Sequence, residues 1–201
     1  MINYFFAEEI YSKLLPLEEV TKEVSKKFNK DIKLDIASVR NGCQLPFDPK
    51  KSLTPFEQQM YDGLLRGISE FLVKSCYDFK SFTMQNMWYN VSPKGSYNLE
   101  HIHGNCDYSG IYYIRTEKDH PSVHFKNPNL VANMRNRPLK TAFNGSLHTG
   151  HNEIYFEPKP CMLTIFPSYI PHRVDENKIE ETRVSLAFNF NVSWQIRQNV
   201  L

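Results

Sequence analysis

Apolar side chains recur at helical spacing in two stretches near the start of the chain. The first stripe contains Leu17, Val20, Val24 and Phe28, directly after Pro16. The second contains Phe56, Met60, Leu64, Ile68 and Phe71 and runs to about Cys76. It begins at Thr54-Pro-Phe-Glu57, which has the residues of a capping box with proline at the first helical position. We therefore predict two amphipathic helices that pack against a sheet.

The period of the pattern changes to two from Phe82 to Val91, which predicts a strand. One face of this strand is expected to carry Met84, Asn86, Trp88 and Asn90. The stretch from Tyr97 to Ile114 predicts a strand, a short turn and a second strand. Further strands are predicted at Ile2–Phe6 (an edge strand), Ser122–Phe125, Met162–Phe166, Ile170–Val174 and Arg183–Asn191. Arg40–Lys51 reads as a loop. The long polar segment 129–152 is predicted to be a mobile lid.

Composition narrows the class of protein. The chain has 201 residues, of which 41% are hydrophobic, 23% charged and 13% aromatic, values typical of one soluble, β-rich domain. The formal net charge of +2 indicates neither a nucleic acid nor a membrane partner. Four cysteines without a Cys-x-x-Cys pair are expected to be reduced thiols, which favours a cytoplasmic location. No stretch is long enough for a membrane span.

Two histidines suggest chemistry within the Tyr97–Ile114 stretch. Residues two apart on a strand point to the same face, so the rings of His101 and His103 are expected to be neighbours. Two imidazoles on one face form half of a metal site. The alternative is that one ring is hydrogen-bonded in the core and the other is solvated. The pair becomes informative only with a third ligand and a substrate anchor.

Both appear later in the sequence. His172 lies on a short predicted strand, and Arg183 follows 183 − 172 = 11 residues later on a strand that a hairpin-like return would place beside it. Ser185 shares a face with Arg183. The planar guanidinium of arginine binds a carboxylate through two hydrogen bonds, and serine adds a hydroxyl. An arginine on a mostly apolar strand therefore indicates a buried carboxylate ligand.

These motifs resemble those of the Fe(II)- and 2-oxoglutarate-dependent dioxygenases, in the prolyl-hydroxylase branch. Within that branch, the sequence most resembles a family of 2-oxoglutarate–iron oxygenases from bacteria and phages. The match covers about residues 82–192 and is carried by Trp88-Tyr-Asn90, His101-Ile-His103, Ser109-Gly-Ile-Tyr-Tyr113, Phe166-Pro-Ser with Pro171-His172, and Arg183-Val-Ser-Leu-Ala-Phe-Asn189. The resemblance implies metal binding by His101, His103 and His172. It also implies that Arg183, Ser185, Tyr113 and Asn90 contact 2-oxoglutarate.

One position departs from the superfamily. His103 stands where a carboxylate ligand is usual, so three neutral imidazoles would leave bound Fe(II) at a formal charge of +2. The dianion of 2-oxoglutarate would then give a neutral site, with weaker binding of a hard divalent ion. Asp107, four residues after His103, is the alternative second ligand. His124 is interpreted as a surface or wall residue, and His120, His148 and His151 as loop residues.

The expected fold is mainly β with N-terminal helices, a double-stranded β-helix (a jelly-roll, cupin-like barrel). The chain is expected to form a single oxygenase domain over 1–201, with helical support in 1–80 and the jelly-roll core in 81–201. The expected activity is a hydroxylase that uses Fe(II), 2-oxoglutarate and O2 on a small molecule or a peptide residue. Oligomeric state and substrate stay open. The alternatives are a cupin-like metal protein that does not use 2-oxoglutarate and a non-catalytic jelly-roll binding protein.

Overall fold

The computed structural model describes residues 8–28, 38–75, 78–128 and 153–195. The elements in chain order are β1 Tyr11–Leu14, α1 Glu18–Ser25, β2 Val39–Arg40, β3 Cys43–Pro46, α2 Pro55–Lys74, β4 Phe79–Ser92, β5 Tyr97–His101, β6 Tyr108–Arg115, β7 Val123–Lys126, β8 Glu153–Phe156, β9 Met162–Pro167, β10 His172–Val174 and β11 Arg183–Trp194. The predicted edge strand 2–6 and the predicted lid 129–152 lie outside the described residues.

The strands form two antiparallel sheets. In the part of the chain that the structure describes, the larger sheet has six strands in the order β1-β9-β6-β11-β4-β3. The smaller sheet has five in the order β2-β5-β10-β7-β8. Strands that are neighbours in the chain often lie in different sheets, as β4 and β5 do, and this crossing is the topology of a jelly roll. The predicted mainly β fold with N-terminal helices is confirmed.

Both helices pack on the outer face of the larger sheet. Thr54 caps α2 through a complete capping box, with Glu57 bonded back to the Thr54 backbone and Pro55 at the first helical position, as predicted. The side chains of Met60, Leu64 and Ile68 are fully buried against β-strand residues. Phe56, at the start of the predicted stripe, is instead 42% exposed, whereas the next residue, Glu57, is buried and accepts a hydrogen bond from the Tyr89 hydroxyl of β4.

Several local predictions need correction. The predicted loop Arg40–Lys51 overlaps the last residue of β2 and contains β3, and each of these strands lies at the edge of one sheet. Strands β1 and β8 had no sequence prediction. The hairpin-like return from His172 to Arg183 is also wrong, since β10 pairs with β5 and β7 whereas β11 pairs with β4 and β6. The residues between them therefore carry the chain from one sheet to the other.

The two faces of the larger sheet serve different cores. The outer face joins the helices in an apolar cluster that includes Tyr89, Tyr112, Leu186 and Phe188. The inner face joins the smaller sheet in a second cluster that contains Ile111, Tyr113, Val123, Phe125, Met162, Phe166 and Ile170. Gly110 permits the outer packing, since a Cβ there would lie 2.2 Å from the Phe188 ring.

Three rows of side chains cross the inner face of the larger sheet, because residues directly opposite each other on paired strands point the same way. The first row is Asn90–Ser185–Tyr113. The second row is Trp88–Ala187–Ile111. The third row is Asn86–Asn189–Ser109. Each row lies two residues, or about 7 Å, from the next. They form the wall against which a ligand between the sheets would lie.

Candidate active site

Three histidines from the smaller sheet meet between the two sheets. His172 on β10 lies directly opposite His101 on β5. His103 follows β5, and its backbone N–H donates to the Ser168 carbonyl, 3.0 Å away, which ties it to the turn before β10. One ligand atom from each of the three rings lies within 4.8 Å of the other two, a spacing suited to one metal ion.

Backbone carbonyls hold two of these rings. Nδ1 of His101 lies 2.7 Å from the Leu99 carbonyl, and Nδ1 of His172 lies 3.0 Å from the Ile170 carbonyl. A carbonyl only accepts, so each Nδ1 carries the proton and donates it. Each Nε2 then has its lone pair free, which is the tautomer a metal-binding imidazole needs.

The ring of His103 is held differently. No side-chain hydrogen bond to it forms among the described residues, and its ring lies 5.9 Å from the Trp88 ring, at 52°. Phe166 makes the corresponding contact to His172 at 4.7 Å and 64°. The His103 orientation therefore depends on ring contacts alone, whereas that of His172 has both a ring contact and a hydrogen bond.

Burial keeps all three rings neutral. Loss of solvent, together with the neighbouring His101 ring, lowers the pKa of His172 to about 3 and that of His103 to about 4. Burial also lowers the pKa of His101. Neutral imidazoles present lone pairs instead of protons, so the cluster is ready for a cation at neutral pH.

The histidines border a cavity of about 420 Å³ that continues along the larger sheet to Arg183. Arg183 is only 2% exposed, and its buried Nε has no hydrogen-bond partner among the described residues. Its guanidinium carbon lies 5.0 Å from the centre of the Tyr113 ring. Burial lowers the pKa of Arg183, and the nearby Tyr113 hydroxyl opposes that change. A buried cation without a carboxylate beside it is costly, so this end of the cavity suits an anionic ligand.

The first row lies beside Arg183 and supplies polar groups. Ser185 lies between Asn90 and Tyr113 across three strands and is 1% exposed. The Tyr113 hydroxyl is buried without a partner in the described structure, and burial raises its pKa. Asn90 accepts a hydrogen bond from Gln44 Nε2 at 3.0 Å, which orients its carboxamide. Three of the predicted cosubstrate residues, Asn90, Arg183 and Ser185, therefore line one cavity, and Tyr113 lies beside Arg183 without lining it.

Asp107, the alternative second ligand, does not join the histidines. Its Oδ2 accepts a hydrogen bond from the Val192 backbone at 2.7 Å, and it borders a separate, smaller cavity. His124 lies on the outer face of the smaller sheet, between Glu153 and Asp175. His120 is buried, and its ring nitrogens form hydrogen bonds with the backbone of Glu117 and Glu181. His148 and His151 lie outside the described residues.

Sequence reasoning missed two polar residues of this region. Gln44 lay in a predicted loop, and nothing in its local pattern indicated that β3 would place it against Asn90. Thr164 on β9 is completely buried, and its hydroxyl lacks a partner in the described part of the chain. It lies directly opposite Ile111 of the second row. A threonine inside the apolar run 162–166 was the available signal, because a polar group buried there requires a partner.

The donor set fits an iron centre that uses a dicarboxylate cosubstrate. Three neutral imidazoles on one side of the metal leave its other positions open, which is the arrangement of a facial triad. At the far end of the cavity, the buried Arg183, whose Nε lacks a partner among the described residues, and the neighbouring Tyr113 hydroxyl suit the distal carboxylate of 2-oxoglutarate. The fold and the site together define a metal-dependent oxygenase of the double-stranded β-helix class.

Comparison with known proteins identifies the family. Residues 86–189 match the family described as "Putative 2OG-Fe(II) oxygenase", and the chain belongs to it. Its enzymes use Fe(II), 2-oxoglutarate and O2, as the sequence predicted. A comparison with curated proteins gives no match. Neither described helix has the length and apolar character that crossing a bilayer requires.

Solved structures share the fold at low sequence identity. A Pseudomonas putida prolyl-4-hydroxylase has a TM-score of 0.56 at 16% identity, over 92% of both chains. The viral collagen prolyl hydroxylase of Paramecium bursaria Chlorella virus-1, in a 2OG complex, has a TM-score of 0.58 at 13% identity, over 92% of this chain and 96% of that one. HygX from Streptomyces hygroscopicus, with nickel and 2-oxoglutarate bound, has a TM-score of 0.55 at 13% identity, over 92% and 83%.

Proposed function

We propose that this oxygenase is a hydroxylase whose iron is held by His101, His103 and His172. The observation that carries the proposal is the joint presence of the three-histidine cluster and the buried, uncompensated Arg183 at two ends of one cavity. A metal site alone is compatible with many reactions. The second feature requires an anionic partner, and a short dicarboxylate that also reaches the metal satisfies both ends.

When bound, Fe(II) with O2 and 2-oxoglutarate supplies the oxidation, in which the cosubstrate loses CO2 and becomes succinate. The chain supplies binding and orientation. Arg183 forms a charge-assisted pair with the distal carboxylate, and Ser185 donates its hydroxyl proton to the same group. Tyr113 adds a second hydroxyl, whose high pKa keeps it protonated as a donor. Asn90 completes the polar row, with its carbonyl already occupied by Gln44.

Trp88 is proposed as the residue that positions His103. Its ring limits the rotation of an imidazole that has no hydrogen bond to hold it, so it has the role that the Leu99 and Ile170 carbonyls have for the other two rings. The chain is proposed to act as one domain, with helices in 1–80 that support the 81–201 barrel. The substrate is proposed to be a small molecule or a peptide residue, as the resemblance to prolyl hydroxylases suggests.

The test is an anaerobic titration of the metal-free protein with Fe(II), first alone and then with 2-oxoglutarate. We expect one iron per chain and tighter cosubstrate binding in the presence of metal. Admission of O2 should then release succinate slowly even without substrate, and faster with a pool that contains the substrate. Iron binding without any dependence on 2-oxoglutarate would instead favour a cupin-like metal protein.

A further inference from the structure

The third row of the larger sheet, Asn86–Asn189–Ser109, has no role in holding the metal or the cosubstrate. It is separated from the first row by the second, whose Trp88 contacts His103. If the first row binds 2-oxoglutarate, as the proposed function requires, the third row faces the other part of the cavity. Asn86, Asn189 and Ser109 all line that cavity.

A hydrogen bond fixes the Asn189 carboxamide. Ser109 Oγ donates to Asn189 Oδ1 at 2.7 Å, which occupies the carbonyl oxygen. No other hydrogen bond of the Asn189 side chain forms among the described residues, although the residue is only 6% exposed. Its amide N–H groups are therefore donors without a protein acceptor, at the edge of a cavity. A ligand with an acceptor oxygen would complete them.

Charged side chains are scarce among the described residues that line the cavity. Arg183 is the one lysine, arginine, aspartate or glutamate among the described residues that line it. A charged substrate group that reached the buried Asn189 and Ser109 would lose its hydration without gaining a counter-ion from the described lining residues. An uncharged polar group avoids that cost.

From these observations we propose that the substrate group entering this cavity is uncharged and carries a hydrogen-bond acceptor oxygen, of which an amide carbonyl is the example tested below. That oxygen accepts a hydrogen bond from the Asn189 carboxamide, and Asn86 lies beside it in the same row. Amides of peptides or of small metabolites belong to this class, whereas amines and carboxylates do not. The proposal rests on the proposed function, because that function assigns the first row to the cosubstrate.

Three probes with one carbon skeleton test the charge selection. N-acetylalanine methylamide is neutral with two carbonyl groups, N-acetylalanine is an anion, and alanine methylamide is a cation. Each would be titrated by NMR into protein loaded with Zn(II) and 2-oxoglutarate, where no turnover occurs. We expect the neutral probe to bind at least about tenfold more tightly than either charged probe, the effect of one well-placed hydrogen bond. Preference for a charged probe would overturn the proposal.

Two isosteric substitutions locate the contact. Asn189→Asp keeps the acceptor for Ser109 but replaces the free donors with a negative oxygen. It should weaken the neutral probe about tenfold and make the cationic probe the better ligand. Asn191→Asp is the matched control, because Asn191 lies on the same strand, accepts a backbone hydrogen bond that a carboxylate preserves, and does not line the cavity. Equal effects of the two substitutions would overturn the role of Asn189.

The same samples separate this inference from the proposed function, because 2-oxoglutarate binding to the Zn(II) protein is measured in each by calorimetry. Normal cosubstrate affinity with no binding of the neutral probe would refute only the substrate inference. Absent cosubstrate affinity would refute the proposed function. Asn86→Asp provides a second variant. Asn86 is exposed, so the added charge should not prevent folding. This variant should also shift the binding preference from the neutral probe towards the cationic probe.

Discussion

His172 lies directly opposite His101 in the antiparallel pair of β10 and β5, and their ring centres are 4.3 Å apart. Strand pairing therefore sets the distance between these two rings, and the Ser168 carbonyl brings His103 to them through its backbone. Because the ring positions follow from sheet geometry, the cluster is expected to exist before metal binds.

Removal of any histidine of the cluster should abolish most metal binding. His101→Ala, His103→Ala and His172→Ala each delete one of three ligands, and a single imidazole pair holds a divalent ion weakly. Metal content after dialysis is the measurement. His124→Ala is the control on the outer face of the same sheet. Full metal content in His103→Ala, with loss in Asp107→Ala, would identify Asp107 as the ligand.

Arg183→Leu should weaken 2-oxoglutarate by about ten- to a hundredfold, because a lost charge-assisted pair costs about 1.5–3 kcal/mol. Metal affinity should stay unchanged, since Arg183 belongs to the other sheet and the other end of the cavity. Calorimetry of cosubstrate binding to the Zn(II) protein measures the first quantity, and calorimetry of Zn(II) binding to the metal-free protein measures the second. Arg173→Leu is the control, because Arg173 pairs with Glu153 and Asp175 instead. Unchanged cosubstrate affinity in Arg183→Leu refutes the anchor.

Trp88→Leu should reduce Co(II) affinity by about tenfold, while Trp88→Phe should keep most of it. The reason is that His103 has a ring contact but no hydrogen bond to orient it. Phe166→Leu is the matched comparison. This substitution removes the ring that packs against His172, but the Ile170 carbonyl still holds Nδ1 of His172, so the loss of Co(II) affinity should be smaller. The Co(II) absorption spectrum would report the altered geometry. A larger loss in Phe166→Leu would contradict the positioning role of Trp88.

His103→Asp should bind iron more tightly than the wild type. A carboxylate adds a negative charge to a site of neutral imidazoles, and it is the ligand most of the superfamily has at that position. The shorter side chain requires the metal to move towards β5. Turnover of 2-oxoglutarate to succinate without substrate is the readout. Failure of His103→Asp to bind iron would show that the pocket requires imidazole, and equality of Asp, Ala and wild type would show that residue 103 is not a ligand.

Metal-free protein should lose stability as the pH falls from 7 to 5. An unfolded histidine protonates near pH 6.5, whereas the pKa of folded His172 is about 3. Between these values the unfolded state binds more protons, so stability rises with pH and is lost on acidification. His172 alone accounts for about 2 kcal/mol by pH 5. Glu57, whose pKa is lowered to about 2, changes the stability only when the pH falls below its ordinary pKa of 4.5. The melting temperature of His172→Gln should therefore vary less over this range.

Local pattern predicted most of the elements correctly. The capping box at Thr54 and the alternation along β4 and β11 depend on neighbours within a few residues, so the sequence alone determined them. The face of the sheet to which each side chain points was predicted correctly where the strands are regular. The prediction was wrong for Met84, which packs against the helix side although Asn86 faces the cavity, because a bulge lies between them opposite Asn189 and Phe190.

The sequence by itself determined which functional groups are present: three histidines with the motif spacing of an oxygenase, and an arginine in an apolar strand. Only the tertiary structure decided which of these groups meet. The His101–His172 pair, the Gln44–Asn90 bond and the exclusion of Asp107 from the cluster each depend on contacts between strands that are distant in the chain. Such pairing is set by burial of the whole inner face, and no local pattern encodes it.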